Sequence, residues 1–233
     1  MKERPILFSA PMVNAILDGK KTQTRRVVKP YEPNFRTVTV PQGVVCRNED
    51  GFTYRSTCPY GQVGDQLWVR ESFNYSTDKE LHPDEKPNPA PQRSNYLSKH
   101  LVYAADGVKS HPEFGKARWK PSIHMPRWAS RIQLEITDIG VERLQDISEE
   151  DAKSEGIIFA GKSVNGFDMY AHHGAVHTMK ELGGSGDSKL ADVEFIGRTA
   201  KQAFMKLWQK INGAESWDKN PWVWVIEFER IKP

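Results

Sequence analysis

The strongest constraint on the fold is a helix followed by a long strand towards the C-terminal end. Ala200, Ala203, Phe204, Leu207, Trp208 and Ile211 follow the i, i+3, i+4, i+7 template without a miss, and Asn212-Gly213 ends them. Residues 222–231 then run apolar on both faces at first and half-polar later, as a long strand. Trp208, Trp222 and Trp224 sit inside these periodic elements and read as core. Such a strand needs neighbours, and the rest of the chain offers short alternating segments. The pattern holds about six to nine strands and about three helices without regular βαβ alternation, so a mixed α+β fold around a mostly antiparallel, barrel-like sheet is expected.

Ile6-Leu7-Phe8 is a short strand. Ser9 can cap the helix after it, Pro11 is tolerated in its first turn, and Met12/Ile16 with Val13/Leu17 make one apolar stripe that Gly19 terminates. Residues 31–62 alternate as hairpins, with strands at 37–40, 44–47 and 52–55. Gly64-Asp65 turns into a strand over 66–71, another lies at 101–104, and Ile132, Leu134 and Ile136 alternate against Arg131, Gln133 and Glu135. Ser148 with Asp151 forms a capping-box pattern that opens a short helix, closed by Gly156. Residues 76–98 are proline-rich without periodicity, and 160–196 are glycine-rich and weakly patterned, so both read as peripheral to the sheet. A single domain over 1–233, with insertions at about 31–62, 72–118 and 160–196, accommodates these segments.

The candidate chemistry lies in Gly19-Lys20-Lys21-Thr22-Gln23-Thr24-Arg25-Arg26. It offers guanidinium forks, an ammonium that can lose its proton, and a hydroxyl that could attack. The stretch leaves the C-terminal end of a helix, where the dipole favours cations, and runs into a strand at Val27-Val28. A solvated basic loop is the plain alternative. Net charge is +3, so any nucleic-acid signal has to be local. The segment Lys120 to Trp128, framed by Pro121 and Pro126 and containing His124, ends in a tryptophan beside Arg127 and close to Arg131. Trp128 could stack a base, or pack as an ordinary core ring. Glu155 falls in the last turn of its helix, where the macrodipole disfavours an anion. A cation arriving from elsewhere would account for it; an exposed glutamate tolerated at about 0.3–1 kcal/mol is the alternative.

Several chemistries are not expected. His172, His173 and His177 crowd one glycine-rich stretch that lacks the rigid elements of a metal site. Gly183-Gly184-Ser185-Gly186 lacks the Lys-Ser/Thr of a phosphate loop. Cys46 and Cys58 are the two cysteines, read as reduced thiols or, alternatively, as one surface disulfide. No apolar run approaches the roughly 18 residues of a membrane span, and no signal-peptide pattern opens the chain. No metal, organic cofactor or membrane partner is expected, and the compartment predicted is the cytoplasm of a bacterial or phage-infected cell.

The run from Ile16 to Arg26, the Gly64-Asp65 turn into a strand, the helix Glu150 to Ile157, and the closing helix and strand resemble, in that order, ASCH-domain proteins of the PUA-like superfamily. The likeness covers about half of the chain in separated blocks. Residues 121–131 and 204–227, with Asn212-Gly213 and Trp217 to Trp222, are similar to phage and prophage proteins of this group. The resemblance implies a small β-barrel with a cleft between the first helix, the basic stretch and the Glu-bearing helix. It further implies, by likeness to a branch of amidohydrolases that deacetylate N4-acetylcytidine, that Lys21, Thr24 and Glu155 are catalytic and that Arg26 matches a further basic position. Arg25, His124, Trp128 and Arg131 are added as candidate substrate-binding residues.

Three readings follow. In the first, the chain is an amidohydrolase acting on N4-acylated cytosine nucleosides, nucleotides or a related base, with Thr24 as nucleophile, Lys21 as base and Glu155 as orienting group or acid/base. In the second, Lys20, Lys21, Arg25 and Arg26 hold the phosphates of a nucleotide or single-stranded RNA in a non-catalytic module. A ribonuclease is the third. In the first reading Lys21 Nζ lies within hydrogen-bond reach of Thr24 or Glu155 at the floor of a cleft, while Thr24 and Arg26 share a strand face.

Overall fold

The computed structural model describes residues 1–29, 36–40, 43–47, 53–75, 101–107, 110–111, 115–116, 119–163, 165–173 and 197–231. Its main sheet contains β1 (Glu3–Leu7), β2 (Gln23–Val27), β6 (Gln66–Arg70), β11 (Gln133–Arg143) and β14 (Trp222–Ile231), in the order β1-β6-β11-β14-β2. The β1–β6 pair is parallel and the other pairs are antiparallel. Strands β3 (Arg36–Val40), β4 (Gly43–Arg47) and β5 (Thr53–Ser56) form a separate meander, close to the hairpins expected for 31–62. Three further antiparallel pairs join β7 (Phe73–Tyr75) to β8 (Leu101–Tyr103), β9 (Ser110–His111) to β10 (Gly115–Lys116), and β12 (Ile157–Lys162) to β13 (Asp168–His172). The helices are α1 (Ala10–Leu17), α2 (Glu149–Ser154) and α3 (Ala200–Asn212).

The pleat of β14 explains the layering. Each face meets a different partner: Trp224, Ile226 and Phe228 join Ile6, Phe8, Leu67, Val69, Leu134 and the Met12/Val13/Ile16 stripe of α1 in one core. Val223 and Val225 point the other way, into a second core with Leu144, Ala152, Ile157, Phe204, Trp208 and Trp217. The long strand is therefore apolar on both faces because it separates two cores. Helix α3 buries Ala200, Ala203, Phe204 and Trp208 against the second core. Ile211, the last residue of the predicted stripe, is exposed, since the buried part of the helix ends at Trp208.

Helix α2 is fixed at both ends. Ser148 and Asp151 form the predicted capping box, and the Glu149 carboxylate accepts from the N–H groups of Ala200 at 2.8 Å and Lys201 at 3.3 Å. This acid meets two donors at the start of α3 that have no partner within that helix. The contact locks α2 to α3, and so sets where Glu155, the C-cap of α2, is delivered.

Two sequence expectations change. Among the described residues no ladder closes the five-stranded sheet into a barrel; β1 and β2 are its two edges. A side chain spans them instead: Arg26 Nη2 donates to Leu7 O at 2.8 Å. The second change is a strand pair, set outside the main sheet, that the weak patterning of 160–196 did not announce. Strand β12 pairs with β13 across an irregularity between Phe159 and Gly161, which breaks the alternation that would have revealed a strand. Tyr170 packs against the second core, and Ala171 and His172 are buried. Residues 76–98 and 174–196 lie outside the described residues.

The junction of β13 with α3 is tight. Gly197 exchanges backbone hydrogen bonds with Tyr170, and a Cβ on it would sit 2.4 Å from Ala203 N. Gly197→Ala is therefore expected to cost about 1–3 kcal/mol, in the range of overpacked interiors, read as a lower urea midpoint with unchanged slope. A variant as stable as the parent would mean that this junction is looser than described.

Candidate functional site

The basic stretch leaves α1 with backbone ties that place Lys21. Gly19 adopts φ +66°, and the N–H groups of Lys20 and Lys21 both donate to Ala15 O, at 2.7 and 3.0 Å. Lys21 then forms an isolated antiparallel bridge with Glu155, next to the bond from Thr22 N to Ser154 O. Here the α2 C-terminus covers the free edge of the sheet beside β2. Lys21 Nζ donates to Glu155 Oε2 at 2.5 Å, Gln23 O at 2.8 Å and Glu155 O at 3.0 Å. An ammonium has three N–H donors, and all three are used. The two side chains are 0% and 4% exposed, so the ion pair is sealed from water. Burial lowers the Lys21 proton affinity below the ordinary lysine range, outweighing the opposing pull of Glu155.

Arg25, within β2, is wholly buried. Its Nε donates to Glu142 Oε1 at 2.7 Å, and its Nη1 to Gln23 Oε1 at 2.6 Å and Glu155 Oε1 at 3.3 Å. Asp151 Oδ2 lies 3.4 Å from Nη2, and the Phe204 ring centre 6.0 Å from Cζ. Gln23 Nε2 in turn donates to Asp151 and Glu227. Arg25, expected against substrate, is instead engaged inside the protein: it holds the Glu155 oxygen that Lys21 does not.

Thr24 and Arg26 occupy the opposite face from Arg25, as strand parity requires. Their partners on β14 are Ile226 and Trp224, both in the α1-side core. Thr24 is 2% exposed, and no hydrogen bond joins it to Lys21 Nζ among the described residues. The lysine satisfies the expected reach through Glu155 rather than Thr24. Phe8 gathers this side, with its ring centre 5.8 Å from Lys21 Nζ and 5.3 Å from Arg26 Cζ. Sequence reading took Phe8 for an ordinary strand residue, since nothing local marks a ring that two distant cations will share.

The remaining candidates lie elsewhere on the sheet. Arg131 makes a two-point pair with buried Glu71 at 2.9 and 3.1 Å, bonds to Asp106, and stacks 4.0 Å from the Tyr103 ring centre. That packing makes it a strut between β6, β11 and the segment after β8. His124 and Trp128 are exposed on two short turns, Ser122–His124 and Arg127–Ala129. These turns lie beside β1, where Arg127 pairs with Glu3 and Arg70 Nε donates to Met125 O. Of the three histidines in the glycine-rich stretch, His173 Nε2 is 3.1 Å from Asp18 Oδ2, His172 is buried, and His177 is outside the described residues. Among the described residues no group of His, Cys, Asp and Glu could hold a metal ion. Cys58 is a buried free thiol, and no described helix is long and apolar enough to cross a membrane.

The chain matches no protein-family profile, no curated protein and no solved structure. What the arrangement can do is thus a matter of its own chemistry. It couples a desolvated lysine to a carboxylate over a short contact, with a threonine on the strand that follows and an arginine sharing that threonine's face.

Proposed function

We propose that the chain is an amidohydrolase of the ASCH type, within the PUA-like superfamily, which removes an acyl group from N4-acylated cytosine nucleosides, nucleotides or a related base. The observation that carries this reading is the sealed Lys21–Glu155 pair, 2.5 Å between Nζ and Oε2. A lysine in contact with three acceptors has no lone pair to offer, so its proton first passes to Glu155 Oε2. Once substrate binding brings the Thr24 hydroxyl against Nζ, the resulting amine takes its proton as Oγ1 bonds to the acyl carbon. The C–N bond breaks as protonated Glu155 gives its proton to the departing N4 amine, and water hydrolyses the acyl-threonine ester to free Thr24 and the carboxylic acid. No cofactor enters this scheme.

The phosphate-binding reading is the weaker one on this geometry, because Lys21 and Arg25, two of its four cations, are wholly buried and engaged with carboxylates. The test is release of cytidine from N4-acetylcytidine. Turnover is expected in the parent, mostly lost in Thr24→Ala, and partly retained in Thr24→Ser, which keeps a hydroxyl. Folded protein that releases no cytidine, or full turnover in Thr24→Ala, would sink the assignment.

A further inference from the structure

A buried imidazole lies behind the lysine. Gly156, directly after Glu155, adopts φ +98°, and a Cβ on it would lie 3.3 Å from Ala15 Cβ, 3.4 Å from Lys21 Cβ and 3.4 Å from His172 Nε2. The bare glycine therefore marks the point where α1, the lysine stem and β13 converge. His172 sits opposite Ile157 in the hairpin register, and His173 N donates to Gly156 O at 2.9 Å, so backbone bonds hold the imidazole there. Its residue exposure is 2%.

We infer that His172 is a positioning residue of the Lys21–Glu155 pair, closing the lysine's surroundings on the β13 side as a neutral ring that keeps water away from the ammonium. The charged groups around it fit that task. Lys21 and His173 act on the ring directly, while Arg25, Arg26 and Glu155, the C-cap of α2, act on Lys21. Asp18, after α1, pairs with His173. Burial first, then the Lys21 charge and His173, push the His172 imidazole down to about 3, so it stays neutral beside the cation. Sealing the lysine favours its amine form, the form the proposed chemistry uses; the inference rests on that reading only for the lysine's task, not for the contact.

The test is a pH titration of the full chain labelled with carbon-13 at lysine Cε, with the Lys21 signal assigned by its loss in Lys21→Arg. In the parent, Lys21 is expected to titrate below an exposed lysine, because burial disfavours its charged form. His172→Phe, which keeps an apolar ring, should retain the low midpoint. His172→Ala should admit water and raise it by about one unit, a tenfold change in proton affinity. His172→Gln keeps a polar side chain nearer the original size and decides the matter if the alanine variant fails to fold. An ordinary midpoint in the parent, or one that ignores the folded Ala or Gln variant, overturns the inference. A His172-dependent midpoint in a chain that never releases cytidine would reject the deacylation reading alone. Cytidine release that depends on Thr24, with a midpoint blind to His172, would reject this inference alone.

Discussion

Glu155→Ala is expected to destabilise the protein by about 3–5 kcal/mol, a loss of roughly 6–20 °C in Tm for a chain of this size. Removing the carboxylate leaves the Lys21 ammonium buried with backbone carbonyls alone, and takes one anion from Arg25. Both side chains are 0% exposed, so water cannot substitute without opening the structure. The size of the loss reports the unpaired charge rather than the net worth of the pair. A paired replacement separates the two: Lys21→Met with Glu155→Leu keeps volume and removes both charges, and should recover most of the stability. Urea unfolding of the three proteins is the measurement. A single variant within about 1 kcal/mol of the parent would show that Lys21 is not sealed as described.

Acid should unfold the protein through His172. In the unfolded chain this imidazole takes a proton near its ordinary pKa of 6.5, whereas in the folded chain it resists protonation down to about 3. Between those values the unfolded state binds more protons, so stability is fully present above the upper one and falls as pH is lowered towards the other. The full loss is on the order of 5 kcal/mol, from about 1.36 kcal/mol per pH unit over about 3.5 units. Unfolding free energies for the parent and His172→Phe between about pH 7.5 and 4 isolate the effect, since the phenylalanine variant lacks this proton. Parallel curves for the two proteins would remove His172 from the account.

The fold was legible where side-chain periodicity and backbone agreed. The α3 stripe and the two-sided run of β14 announced a long helix and a long strand, and the Ser148/Asp151 cap announced α2. Glu155 was legible by its discomfort: an acid at a helix C-terminus pointed to a cation from elsewhere, and the structure puts Lys21 and Arg25 there. Less was readable where pairing is non-local. The split of Arg25 from Thr24 and Arg26 follows from parity, yet only the β14 register shows that one face meets carboxylates and the other the α1 core. His172 was hidden because an irregularity at Phe159/Gly161 breaks the alternation of its partner strand. Arg131 was read as ligand-facing because Glu71, its partner, lies just past β6, far away in sequence.

The position of β14 between β11 and β2 also sets an order of assembly. During synthesis β2 emerges early, but its hydrogen-bonding partner is made after every other strand described here. Until then Thr24, Arg25 and Arg26 have no ladder to join, and the two cores lack the strand that divides them. Closing so distant a pair is slow relative to local structure. A nascent chain halted before Trp222 thus carries Thr24, Arg25 and Arg26 on a strand that has nowhere to dock.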